Sequence, residues 1–237
     1  MARKRKSRTA TARPAASRAT TNRDKIIEAF LALLAEKSFE QIGLAEIATR
    51  ADVSLADLRG EFGSTLAILA GHIKDIDRAV LAGIDKELAD EPAREQLFDV
   101  LMRRLELLSP HKEALRSLMR SAVRNPPLAL ALNALTVRSQ QWMLTAANIN
   151  ASGPLGQLRA QGLALLFANV LRTWIDDDEE GLSRTLAALD RALASGQRWS
   201  GLLDDVCSFP ARLCQRASRK RGRSRRSDQA GGEAEAA

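Results

Sequence analysis

Two cysteines and two histidines are all that this 237-residue sequence carries of the side chains that most often ligate metal. Cys207 and Cys214 stand seven apart, without the paired spacing of a zinc site and with no histidine close by, so reduced thiols are expected. His72 and His111 fall in different predicted helices, neither with a cysteine near it in sequence. No glycine loop of the phosphate-cradling kind occurs, and "GPLG" at 153–156 reads as a turn. Nowhere do about 18 apolar residues run together, so no membrane span is expected. The charged opening "MARKRKSRTATARPAASRATTNR" has no apolar stretch behind it, so no secretory signal is expected either. A sustained alternation of period two is missing too, which argues against strands. These absences point away from an enzyme, a metal site or an organic cofactor, and towards a cytoplasmic protein.

What is present is charge, unevenly distributed. The formal net charge is +7, yet residues 1–25 hold nine Lys/Arg against Asp24 alone, and 212–226 hold eight Lys/Arg and no acid. The body from 26 to 211 has 19 basic and 25 acidic residues, a net of −6. An acidic body therefore carries two basic ends. Both ends are rich in Ser, Ala, Gly and Arg, and too poor in apolar residues to offset the entropy of ordering, so disorder is expected over 1–21 and 201–237. Basic arms suit a polyanion, and Arg3, Lys4, Arg5 and Lys6 are candidate nucleic-acid contacts.

The body predicts helices throughout, being rich in Ala, Leu, Glu and Arg. Asn22 is placed to cap a first helix over about 23–37, with Ile26, Ile27, Phe30, Leu33 and Leu34 facing inward. A short second helix covers about 44–51. After "ADVS", Ser54 caps a third, with Asp57 at its third position in a near capping box. Ser64 caps a fourth, in which Leu66, Leu69, Ile73, Ile76, Val80 and Ile84 repeat by threes and fours to about 89. Pro92, Pro110 and Pro126–Pro127 mark new helices over about 93–108, 111–124 and 128–149. Two more follow, over 156–175 and 179–196. In "IDDDEEG", Asp177 or Asp178 is read as capping the last helix rather than holding a metal, since carboxylates adjacent in sequence rarely converge.

The stretch "RDKIIEAFLALLAEKSFEQIGLAEIATRADVSLADLRGEFGSTLAIL", about 23 to 69, resembles the DNA-binding domain of TetR-type transcriptional regulators. "LAEIATRADVS", Leu58, Phe62, Ser64 and Leu69 fit that family's frame of apolar positions and spacing. The resemblance implies an all-α fold of about nine to ten helices. A three-helix helix-turn-helix head (22–70) would be joined by a long fourth helix to a helical ligand-binding and dimerisation domain (71–200).

The departures fall on polar positions. Where the family has a capping Thr, this chain has Gly43. Asp52 stands for the usual Gly before Val, Arg59 for a phosphate-contacting Tyr, Glu61 for Tyr or His, and Thr65 for a phosphate-holding Lys. Between 26 and 71 seven acids face three bases, a net of −4 that is poorly suited to phosphate. Ser54, Leu55, Ala56, Arg59 and Thr65 are the candidate DNA contacts, the first three near base edges and Leu55 and Ala56 suited to a thymine methyl. In the body, Trp142, Met143, Phe167 and Trp174 are the candidate lining of a pocket. No charged residue is identified as a ligand's counter-ion, which favours an apolar or amphipathic ligand. Leu166, Val170, Leu182, Leu186, Leu189 and Leu193 are the candidate subunit interface.

The expected function is a one-component regulator, a repressor, binding operator DNA as a homodimer and answering a small ligand. A second reading rests on "RTWIDDDEEGLSRTLAALDRAL". This is similar to the tail of accessory proteins of ubiquinone biosynthesis, which share the fold, no longer read DNA and hold a lipid.

Overall fold

The computed structural model describes residues 21–84, 90–179 and 181–195, so both basic ends, with Arg3, Lys4, Arg5 and Lys6, lie outside the described residues. Among those described there is no strand. The helices are α1 (Asn22–Glu36), α2 (Leu44–Ala51), α3 (Leu55–Glu61), α4 (Thr65–Ala82), α5 (Ala93–Leu108), α6 (Lys112–Arg124), α7 (Pro126–Ala146) and α8 (Gly153–Ile175). Residues 183–195 are the described part of α9.

Several boundaries differ from expectation, three of them with a clear local cause. Thr21, not Asn22, caps α1: its side chain accepts from the Asp24 N–H while Asp24 reaches back to the Thr21 N–H. The fourth helix ends at Ala82, not near 89, with Gly83 as its cap. A Cβ at Gly83 would lie 2.3 Å from the Arg103 guanidinium, the end of a flexible side chain that would have to swing aside. "GPLG" is the first turn of α8 rather than a free turn. Gly156 is pressed against the Ala151 carbonyl, where a Cβ would come within 2.1 Å of the carbonyl carbon.

Two apolar cores follow. The first gathers Ile26, Phe30, Leu33 and Leu34 of α1 with Ile47, Leu58, Phe62, Ile68 and Leu69. It does not stop at residue 70, because Ala114 and Leu118 of α6 and Leu128 of α7 complete it. The second joins Ile76 and Val80 of α4 with α5, with Met143 and Leu144, with Phe167, Val170 and Trp174 of α8, and with Leu189 and Leu193. Helix α4 thus runs from one core into the other. Polar contacts reinforce the seam: Ser117 Oγ donates to the Lys37 carbonyl at 2.8 Å, and the Phe39 N–H donates to Ser121 Oγ at 3.1 Å.

The acidic run after α8 serves structure. Asp177 accepts from the Thr185 N–H at 2.8 Å and its hydroxyl at 2.6 Å, fastening the start of α9. The Thr185 hydroxyl is also the leading cause that holds the Asp177 carboxyl below its ordinary range. Asp178 pairs with Lys112 at 2.8 Å. Among the described residues, no helix is long and apolar enough to cross a membrane.

Candidate nucleic-acid interface

The turn between α2 and α3 is made by two residues in unlike conformations. Asp52 ends α2 at φ 51, ψ 52, in the left-handed region that explains why glycine is usual at this position in the resembling family. Aspartate tolerates that conformation better than most side chains, at some cost. Ser54 then starts α3, its Oγ accepting from the Asp57 N–H at 3.0 Å while Asp57 accepts from the Ser54 N–H at 3.2 Å. The hydroxyl also donates to the Asp57 carboxylate at 2.6 Å. This Ser54 hydrogen bond is the largest cause of a lowered Asp57 pKa. Gly43, at the start of α2, provides no side-chain cap.

Helix α3 has an anchored face and a free one. Leu58 is 1% exposed, and Phe62, just past the helix, is also buried. Arg23 sits over the Phe62 ring at 5.8 Å and also bonds Asp75 of α4 at 2.6 Å. On the other side Leu55 is 56% exposed, with Ala56, Asp57, Arg59, Gly60 and Glu61 also exposed. Thr65 is half-buried at the first position of α4, and Ser64 caps that helix through the Ala67 N–H. The structure therefore brings Ser54, Leu55, Ala56 and Arg59 onto one short element with Thr65 at the next helix start.

Two of the three bases between 26 and 71 are already paired. Arg50 forks onto Glu36, and Lys37 pairs with Glu46. Of the three bases between 26 and 71, Arg59 alone meets no carboxylate among the described residues. Its guanidinium lies back along Gly63, where a Cβ would stand 3.3 Å from Nη1.

The candidate ligand residues divide. Met143, Phe167 and Trp174 are buried in the second core, but Trp142 is 56% exposed and does not line it. Successive residues of a helix point about 100° apart, so when Met143 turns inward its neighbour turns out. The body also buries a charged group. Arg104 of α5 is buried against Phe167, with its Cζ 5.3 Å from the ring centroid. It bonds Asp77 of α4 at 2.7 Å and Ser139 of α7. Gln140, next to Ser139 in α7, is fully buried with neither amide atom partnered, and Arg104 Nε is also unpartnered. A signal existed in the sequence: Leu97, Leu101, Arg104 and Leu108 share one helical face, so Arg104 stands in an apolar row.

The candidate interface residues divide as well. Val170, Leu189 and Leu193 are covered by the chain's own side chains and offer no surface to a partner. Leu166, Leu182 and Leu186 are half-buried, and Leu182 is not in the helix but precedes it at φ 48. The apolar side chains that α8 does leave exposed are Leu158 and Leu165, seven residues apart and so on one face.

No protein-family model and no curated protein matches this sequence. Solved structures match in fold. A TetR transcriptional regulator from Nitrosomonas europaea ATCC 19718 is 22% identical over 74% of this chain and 97% of its own, with a TM-score of 0.58. A TetR transcriptional regulator from Rhodococcus sp. RHA1 is 21% identical over 74% and 95%, with a TM-score of 0.52. A TetR-family transcriptional regulator from Streptomyces coelicolor is 16% identical over 78% and 83%, with a TM-score of 0.50. The all-helical fold of this chain is that of TetR-type transcriptional regulators.

Proposed function

We propose that this chain is a one-component transcriptional regulator, a repressor, that binds operator DNA as a homodimer and answers a small ligand held in its helical body. The observation that carries the reading is α3. It is capped at Ser54, anchored inward by Leu58 and Phe62, and presents Leu55 and an unpaired Arg59 to solvent. A leucine 56% exposed in the first turn leaves most of its side chain in solvent, where it suits a thymine methyl in a major groove. Ser54 and Ala56 flank it. Arg59 suits a phosphate or a guanine edge, and the Thr65 hydroxyl a phosphate. Arg3, Lys4, Arg5 and Lys6 precede α1 and would supply the positive charge that the head lacks.

In this reading residues 22–70 are the head and 71–200 the body, with α6 packed against both. Met143, Phe167 and Trp174 form the apolar side of the ligand site, and Arg104 and Gln140 are its polar groups, so an amphipathic ligand fits better than a wholly apolar one. The subunits meet through Leu158 and Leu165, with Leu166, Leu182 and Leu186 beside them. Ligand then changes the distance between two heads and their fit to a two-fold site.

Selection of bound fragments from the source organism's genomic DNA tests this. The expected result is a set sharing a two-fold sequence, with half-sites about one helical turn apart. Recovery of no common sequence, together with a lipid that copurifies with the chain, is the result the lipid-carrying reading expects. The acidic Asp57 and Glu61 on the exposed face of α3 are what favour that alternative.

A further inference from the structure

A cleft of about 600 Å³ opens where the end of α1 meets α6 and the start of α7. Its charged lining is Lys37, Arg120 and Arg124 against Glu36 and Glu40. Three of these five have other engagements. Glu36 is forked by Arg50, and Lys37 is paired with Glu46. Glu40 accepts from the Asn125 amide at 3.0 Å. That bond is also the leading cause that holds the Glu40 carboxyl below its ordinary range.

That leaves the two arginines, which lie one turn apart on the same face of α6. Among the described residues neither guanidinium has a carboxylate or other hydrogen-bond partner, although two carboxylates line the same cleft. The walls are fixed in advance by the Ser117–Lys37 and Phe39–Ser121 hydrogen bonds, so the cleft does not depend on a ligand to form.

The geometry points to a binding site for a phosphate-bearing small molecule, held by Arg120 and Arg124 at this seam. Two forks one turn apart can share the several oxygens of a phosphate or diphosphate. A single carboxylate offers two oxygens, enough for one fork, whereas a phosphate or diphosphate offers more and can engage both arginines at once. The volume lies within the range of small-molecule sites, roughly 300–1,000 Å³. Because α1 forms one wall and α6 the other, an occupant bridges the head and the body. The site is separate from the buried Arg104 group and does not depend on the reading of α3.

Calorimetric titration of the full chain with inorganic pyrophosphate at constant ionic strength tests the proposal. The basic ends of the chain attract any polyanion, so the comparison is between variants that keep both ends. The unmodified chain should bind one pyrophosphate per chain with Kd below about 1 mM. Arg120→Gln with Arg124→Gln should weaken that binding at least about tenfold, as the loss of two charge-assisted forks requires. Both side chains are exposed, so the double variant should fold, and its helical circular dichroism confirms that. Arg138→Gln with Arg172→Gln, exposed arginines elsewhere on α7 and α8, should leave binding unchanged. Equal affinity in the Arg120/Arg124 variant and the unmodified chain overturns the site, as does equal weakening by the Arg138/Arg172 pair. So does the absence of saturable binding, including the case in which the Arg120/Arg124 variant loses affinity only for DNA.

Discussion

His72 lies in α4 at 5% exposure, its Nε2 unpartnered and its ring edge-on to His111 with centroids 5.1 Å apart. Burial is the main cause that pushes its pKa down from 6.5 to about 4; the charges of His111 and Arg104 add to this and Asp75 opposes it. The folded protein therefore keeps His72 neutral across a range in which the unfolded chain protonates it. The unfolded state binds more protons between about 6.5 and about 4, so stability is complete above that window and falls as pH drops through it. The loss from this residue totals about 3 kcal/mol. Denaturant melts from pH 7 down to about pH 4 check it: His72→Leu should show a shallower fall than the unmodified chain, and equal slopes contradict the assignment. At this scale the sequence was only partly readable. Spacing marked Ser54 as a cap, and the Ser54–Asp57 bonds are in place. Nothing in composition marked His72 as buried, because α4 carries apolar residues of both cores and offers more than one inward face.

Among elements, α5 shows why some of the site was legible and some was not. Its apolar row gives the helix and its inward face correctly, but the row includes Arg104, and a charge in such a row is easily taken for a surface residue. It is buried because α4 and α7 bring Asp77 and Ser139 to it. Those contacts come from residues far apart in sequence, which no local pattern shows. The same reason hid the role of α6, whose Ala114, Ser117, Leu118 and Ser121 face inward against the α1 core. Removing one member of the buried pair leaves the other without a counter-charge. Arg104→Met should cost about 3–5 kcal/mol, and adding Asp77→Leu should recover much of that loss. Urea unfolding of the single and double variants measures both. A double variant no more stable than Arg104→Met alone would show that packing, not charge pairing, dominates there.

For the whole molecule, the expected all-helical arrangement of a small head joined through α4 to a larger helical body matches the fold, and the head is not closed on itself. Its core is completed by Ala114, Leu118 and Leu128, so a change in α6 reaches α1 directly. The candidate subunit surface was the least legible part, since a leucine row does not reveal which members the chain covers itself. Leu189 and Leu193 are core, and Leu158 and Leu165 are exposed. If the latter two form the proposed subunit contact, Leu158→Glu with Leu165→Glu should give a folded monomer by sedimentation, with helical content retained. A dimer that persists in that variant places the contact elsewhere. The claim that matters most is that an acidic head still holds DNA through one unpaired arginine and a basic arm. The most direct test is affinity for the upstream operator across a salt series, for the full chain and for Arg59→Ala. The account predicts affinity that falls steeply with salt. It also predicts a loss of about 1–3 kcal/mol in the variant if Arg59 meets a base, or a smaller loss with a shallower salt slope if it meets a phosphate. An affinity indifferent to salt, and unchanged by Arg59→Ala, would contradict it.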